Sequence, residues 1–121
     1  MQFHYQQKKA KYGNKKVVVD GVKYDSKKEA MRSQELMILQ KKGIIQYLEM
    51  QKPFVICPKI EGVKGSRDKK YVCDFFYYDT QIEKFVVEDV KGNYTANLSL
   101  FKLKWQLMQH LYPLYEYRIY N

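Results

Sequence analysis

The chain has 121 residues, a hydrophobic fraction of 45% and a net charge of +9 at pH 7. This length fits one domain with a modest core, and the composition excludes a disordered chain. The sequence has no apolar run long enough to span a bilayer and no signal-peptide core at its start, so we expect a cytoplasmic protein. The strong positive charge favours a polyanionic partner, nucleic acid before an anionic membrane.

The two cysteines, Cys57 and Cys73, show no CxxC or metal-ligand spacing. In a cytoplasmic protein, disulfides are rare. We therefore predict two buried, reduced thiols and no disulfide.

Residues 1–16 are rich in lysine and contain no acidic residue, and we interpret them as a mobile basic arm in front of a single domain, residues 17–121. Lys15 and Lys16 would contact phosphate if the arm binds nucleic acid, or lie in solvent if it is only a terminus. Val17–Val19 and Val22–Tyr24 flank Asp20-Gly21, which predicts a β-hairpin because Asp-Gly suits the positive φ angles of a type I′ turn.

Asp25-Ser26 precede a helix that we predict to run to about Lys42 and to stop at Gly43. Glu29 has two interpretations: the carboxylate of a capping box with Ser26, or an active-site acid, because it lies on the helix face that packs inward. Three cations surround the same helix start and would meet phosphate or solvent: Lys27, Lys28 and Arg32.

Residues 44–58 are extended by composition, and Pro53 marks an edge or a bulge there. Gln51 is either a neighbour of a site or simply an exposed strand residue. Residues 59–70 form a charged, Gly-containing loop that brings Lys69 and Lys70 to the edge of the next hairpin, where they would contact DNA or solvent.

Residues 71–92 are the stretch around which the chain is organised. Two aromatic and β-branched runs, residues 71–78 and 85–90, predict a hairpin. Alternation places Asp89 and Lys91 on one face and Glu88 on the other. If Asp74 faces the same way, two carboxylates and one ammonium converge. A divalent cation would relieve the repulsion between the carboxylates, and oxygen ligands favour Mg²⁺ or Mn²⁺.

Beyond Gly92, apolar residues at helical spacing predict a core helix over residues 96–111, and residues 114–120 alternate as a last strand. Lys102 and Lys104 are the polar exceptions on this helix. The element order predicts an α/β fold, a central mixed sheet flanked by two helices in the order αβββαβ, with an N-terminal β-hairpin in front.

The collected residues resemble the PD-(D/E)xK, or restriction-endonuclease-like, nuclease superfamily. The segments KYGNKKVVVDGVKYDSKKEA, YVCDFFYYD and VVEDVKG, followed by a Lys-bearing helix, are similar to a small family of phage and prophage nucleases. In layout, that family is related to phage endonuclease I-type Holliday-junction resolvases and to transposon nucleases. Cys73 stands where the superfamily pattern has proline.

The resemblance implies a role for each residue of the site. Asp74, Asp89 and the backbone carbonyl of Val90 would hold a metal ion, and Glu29 would help to hold a second one. Lys91 would orient the attacking water and offset charge at the phosphate. Asp89 is preferred to Glu88 as the second acid because alternation pairs it with Lys91.

The resemblance implies an Mg²⁺-dependent DNA endonuclease, with Mn²⁺ able to substitute, that is phage- or prophage-encoded and selective for branched DNA. By analogy with the fold, a homodimer would present two sites to two strands. Alternatives are a nicking or double-strand endonuclease of transposition or restriction type, and a non-catalytic basic DNA-binding module. An RNA-specific or purely structural role is a further possibility.

Overall fold

A computed structural model describes residues 7–9, 15–92 and 98–121, with residues 7–9 and 15 as backbone only. An N-terminal sheet contains three antiparallel strands, β1 (Gln7–Lys9), β2 (Lys15–Val19) and β3 (Val22–Tyr24), in the order β1-β2-β3. The predicted hairpin is confirmed, since Asp20 and Gly21 turn with φ angles of 50° and 80°. The prediction of a mobile arm is wrong for Gln7–Lys9 and for Lys15 and Lys16, because these residues lie in the paired strands β1 and β2. The rest of the arm up to residue 14 lies outside the described residues.

The first helix, α1 (Lys27–Lys41), begins as predicted, with Ser26 as its N-cap. The Ser26 Oγ accepts a hydrogen bond of 3.1 Å from the backbone N–H of Glu29, which satisfies one of the free donors at the helix start. This cap fixes where α1 begins and thereby where Glu29 lies.

The central sheet is mixed and contains four strands in the order β4-β5-β6-β7. These strands are β4 (Ile45–Cys57), β5 (Lys69–Asp79), β6 (Lys84–Val90) and β7 (Glu116–Tyr120). Neighbours pair antiparallel from β4 to β6, whereas β7 runs parallel to β6. The predicted order αβββαβ is therefore confirmed, together with the α/β class and the N-terminal hairpin.

Pro53 lies in β4, which is an edge strand, as its missing N–H requires. The register of β4 against β5 shifts between Gln46 and Glu49, and Tyr47 has a φ of 57° there. The shift places one extra residue in β4, which is the signature of a β-bulge.

The second helix, α2 (Ser99–Leu111), packs on the opposite face of the sheet from α1. Its predicted start at residue 96 falls in the segment 93–97, outside the described residues. On the α2 side, Met108 is buried against Phe54, Tyr71, Cys73, Phe76 and Val87. On the α1 side, Leu36 is buried against Ile45, Phe75, Tyr77 and Val86.

Two further expectations concern the cysteines and the membrane. Cys73 is buried and both thiols are free, as predicted, but Cys57 is exposed because it ends the edge strand β4. Neither α1 nor α2 is long and apolar enough to cross a bilayer.

Candidate active site

The site lies where β5 and β6 separate. The pairing of these strands extends to Phe75↔Glu88, after which β6 continues beside β7 alone. At this point the backbone N–H of Val90 donates to Oδ2 of Asp74 over 2.7 Å. The Asp74 carboxylate thus takes the place of the strand carbonyl that would have accepted this bond in a continued ladder.

Asp89 and Lys91 share the α2 side of the sheet, as strand alternation predicted. Asp89 is buried and accepts a hydrogen bond from the hydroxyl of Tyr71. The Lys91 ammonium lies 3.8 Å from Oδ2 of Asp89 and 4.5 Å from the ring centre of Phe101 on α2. The ammonium and the carboxylate therefore form a partly buried ion pair beside Asp74.

Glu29 reaches the site from α1. Its side chain is 3% exposed, and its Oε1 accepts a hydrogen bond of 2.6 Å from Nε2 of Gln51 on β4. The same Nε2 lies 3.5 Å from Oδ1 of Asp74. Ser26 supplies its half of the predicted capping box, while the Glu29 carboxylate faces the sheet. The chain thus brings Glu29, Asp74, Asp89 and Lys91 together from three elements.

Glu29 and Asp74 both have raised pKa values because they are buried close to other carboxylates. Burial, followed by the charges of Asp74 and Asp25, raises the pKa of Glu29 to about 8. Burial also raises the pKa of Asp74 to about 8, with further contributions from the hydrogen bond and the charge of Asp89. The Val90 amide and Lys91 act in the opposite direction on Asp74. In the absence of a cation, the site therefore favours the protonated forms of Glu29 and Asp74.

Tyr71 is a site residue that the sequence interpretation missed. Burial and the neighbouring Asp89 raise the pKa of its hydroxyl, so Tyr71 remains a hydrogen-bond donor at neutral pH. Alternation puts Tyr71 and Cys73 on one face of β5. This spacing was the only sequence signal that could have placed Tyr71 on the α2 side with Asp89. Burial raises the pKa of Cys73 to about 12, which makes this thiol unreactive.

Glu88, the ambiguous second acid, faces α1 and not the site. Arg32 binds it with two hydrogen bonds, from Nε at 2.8 Å and from Nη2 at 2.9 Å, and the hydroxyl of Tyr77 donates a third at 2.7 Å. Glu88 is therefore accounted for by a salt bridge with Arg32. The guanidinium of Arg32 is held inside the fold, and its contact with phosphate stays a prediction.

The other predicted phosphate-binding residues lie at several places around the site. Lys28 donates from Nζ to the backbone carbonyl of Lys91 over 3.3 Å, so it adjoins the site directly. Lys16 forms an ion pair of 3.3 Å with Asp25. The remaining lysines lie at the starts of elements or along α2: Lys15 in β2, Lys27 in α1, Lys69 and Lys70 in β5, and Lys102 and Lys104 in α2.

The donor set fits an oxygen-preferring cation, but the acids are held by protein groups in the present arrangement. Among the described residues, no three His, Cys, Asp or Glu side chains converge closely enough to hold a metal ion. Gln51 separates Glu29 from Asp74, and Tyr71 and Lys91 engage Asp89. Carboxylate and backbone carbonyl oxygens are ligands that Mg²⁺ and Mn²⁺ accept.

Comparison with known proteins identifies a family for nearly the whole chain. Residues 9–117 match the family described as "Protein of unknown function (DUF1064)". The chain belongs to this family. The DUF1064 match includes every residue of the site from Glu29 to Lys91. No curated protein and no solved structure matches the chain.

Proposed function

We propose that this DUF1064 protein is a metal-dependent DNA endonuclease that hydrolyses phosphodiester bonds, with a preference for branched DNA. The observation that carries the proposal is the chain of contacts that links Glu29 of α1, Asp74 of β5 and the Asp89–Lys91 pair: Gln51 bridges Glu29 and Asp74, and Asp74 adjoins Asp89. The arrangement supports the resemblance to PD-(D/E)xK nucleases, which combine two acids and a lysine in this way.

The carboxylates of Asp74 and Asp89 and the carbonyl of Val90 would hold one metal ion, and the carboxylate of Glu29 would help to hold a second one. The raised pKa values of Glu29 and Asp74, caused first by burial and then by neighbouring carboxylates, support this assignment, because a bound Mg²⁺ or Mn²⁺ would stabilise their charged forms. When bound, such an ion activates water and stabilises charge on the phosphate oxygens.

The protein groups around the acids orient them. The Val90 N–H holds one oxygen of Asp74, and the Tyr71 hydroxyl holds one oxygen of Asp89. The Lys91 ammonium is only 23% exposed, so its charge is weakly screened where negative charge develops on the phosphate. Lys91 is therefore the residue that we assign to transition-state stabilisation.

DNA binding would come from the positive charge around the site. The net charge is +9, and Lys28 contacts the Lys91 backbone directly. Phosphate contacts of this kind set affinity and position without reading sequence. We further propose that the protein acts as a homodimer in the cytoplasm of a bacterial host, because one chain offers one such site and a branched substrate presents two strands.

The test is cleavage of a panel of four-way, flap and linear duplex DNA with Mg²⁺. We expect Asp74→Asn and Asp89→Asn to abolish cleavage and Lys91→Ala to slow it by about 10²–10³-fold, as for the loss of one preorganised charge donor. DNA affinity should persist in all three variants, since other lysines supply it. Glu61→Gln is the matched control, because this loop carboxylate is 86% exposed.

The panel also separates the alternatives. Equal cleavage of linear and branched DNA would point to a nicking or double-strand endonuclease. DNA binding without cleavage by the wild-type protein would leave only a basic DNA-binding module. If Asp74→Asn and Asp89→Asn cleave as well as wild type, while a mock purification without the protein shows no cleavage, the assignment of the active site is refuted.

A further inference from the structure

Gln51 has an unusual backbone conformation in the interior of β4. Its φ is 54°, in the left-handed region that residues other than glycine rarely adopt within a strand. A bulge explains the similar angle at Tyr47, where the register against β5 shifts. At Gln51 the register is the same on both sides, with Met50↔Phe75 and Lys52↔Cys73. Accommodation of an extra residue therefore does not account for this conformation.

Both strands reverse their facing at this level of the sheet. Met50 packs on the α1 side, whereas the Lys52 ammonium lies 5.4 Å from the ring centre of Phe76 on the α2 side. In regular β4, residues two apart would share a face. Opposite Gln51, β5 reverses as well, since Phe75 packs on the α1 side and Cys73 on the α2 side. Asp74 lies at the reversal point of its strand.

The reversal brings the Gln51 amide between two acids from different elements. Nε2 of Gln51 lies 2.6 Å from Oε1 of Glu29 and 3.5 Å from Oδ1 of Asp74. A side-chain amide has two N–H donors and no charge, so it can bond to two carboxylates at once. Backbone strain at such a point is expected where it positions functional groups.

We propose that Gln51 is a positioning residue for the cleavage reaction: its left-handed backbone places its amide so that Glu29 and Asp74 are held as a pair. The inference rests on the proposed nuclease function. Gln51 acts through the two acids and contacts neither DNA nor the reacting atoms. Its loss should therefore affect the chemical step and metal affinity more than DNA binding.

The experiment compares Gln51→Leu, which removes the amide at similar volume, with Gln46→Leu, the same substitution elsewhere on β4. For Gln51→Leu we expect kcat on a cleaved DNA to fall about 10–100-fold and Mn²⁺ to bind about 10–100-fold more weakly, the range for groups that orient metal ligands. KM for DNA should stay within about twofold, because the phosphate-binding lysines are unchanged. Gln46→Leu should match wild type in all three quantities.

A second variant guards against misfolding of Gln51→Leu. Asn tolerates a positive φ and keeps the amide one methylene shorter. Gln51→Asn should therefore fold as wild type, which circular dichroism and thermal unfolding can check. Its kcat should fall less than that of Gln51→Leu, with KM again unchanged.

The outcomes separate this inference from the proposed function. An active wild-type protein with an equally active, equally Mn²⁺-binding Gln51→Leu variant would overturn the positioning role alone. A rise in KM with unchanged kcat would also overturn it, because Gln51 would then serve DNA binding. A wild-type protein that neither cleaves DNA nor binds Mn²⁺ would overturn both.

Discussion

The raised pKa values of Glu29 and Asp74 make the metal-free protein sensitive to pH. The unfolded-state pKa values are about 4.5 and 3.8, and both rise to about 8 in the fold. Between these limits the folded state keeps protons that the unfolded chain releases. The free energy of unfolding must then fall as pH rises through this window, by the linkage between proton binding and stability.

This sign gives a direct test with Glu29→Gln, which mimics the protonated acid. In EDTA, wild type and variant should have similar stability near pH 4.5, and the variant should be more stable at pH 8 by an amount on the order of 2–4 kcal/mol. Urea unfolding at a series of pH values measures the difference. A difference that stays constant with pH would contradict the assigned burial of Glu29, and Glu61→Gln should show no such trend.

Glu88, the neighbour of the candidate site acid Asp89, is held by Arg32 and Tyr77 on the α1 side of the sheet. The Arg32 and Glu88 side chains are 15% and 1% exposed, so this ion pair is largely removed from solvent. Removing one partner leaves the other charge unpaired in the fold. Glu88→Ala should therefore lower the free energy of unfolding by about 3–5 kcal/mol.

Glu35→Ala is the matched comparison for this measurement. Glu35 pairs with the same Arg32 but is 49% exposed, so its loss should cost less than about 1 kcal/mol. Denaturant unfolding at neutral pH measures the free energy of unfolding of both variants. Equal losses in the two variants would mean that burial of Glu88 does not strengthen the pair.

At the level of elements, α2 departs most from its prediction. Apolar residues at helical spacing predicted a core helix, yet Met108 is its one fully buried residue, with Phe101 and Trp105 partly buried. Leu100 and Leu103 are 63% and 58% exposed. A single sheet face covers only one stripe of a helix that is apolar on several sides.

The two kinds of position on α2 should respond differently to truncation. Met108→Ala removes a side chain packed in the core and should cost about 2–5 kcal/mol of unfolding free energy. Leu103→Ala removes a solvent-facing side chain and should cost less than about 1 kcal/mol. Thermal or urea unfolding distinguishes them, and comparable losses would show that the exposed stripe is covered in solution.

Local chemistry explains which elements were predictable. Asp20-Gly21 specified its turn, Ser26 specified the start of α1, and alternation in β6 correctly separated Asp89 from Glu88. Gln7–Lys9 was missed because a short polar, basic segment carries no strand pattern; its strand exists through pairing with β2.

The candidate site was predictable as a set of acids but not as a geometry. Regular alternation cannot reveal the reversal at Gln51 and Asp74, because it assumes uniform strand geometry, whereas Gln51 has a left-handed φ. The bonds from Arg32 to Glu88 and from Tyr71 to Asp89 join residues that are distant in the sequence. Such partners are set by the packed fold, and no local pattern encodes them.

At the scale of the whole molecule, the proposed homodimer predicts a mass in solution of twice 14.6 kDa. Gel filtration with light scattering measures it, with and without four-way DNA. We expect a dimer because cleavage of two DNA strands needs two active sites, and each chain supplies one set of Glu29, Asp74, Asp89 and Lys91. A single-chain mass at working concentration under both conditions would remove the dimer and leave the site unaffected.

The exposed connection between β4 and β5, residues 58–68, divides the residues of the candidate site into two groups along the sequence. Glu29 and Gln51 precede it, and Asp74, Asp89 and Lys91 follow it. A cut at Gly62, in this loop, would yield two fragments, each inert by itself and each holding one strand of the long β4–β5 pairing. Fusing the fragments to a pair of proteins that bind each other would then make the proposed DNA cleavage conditional on that binding, because reassembly of the sheet would also rejoin the divided acids.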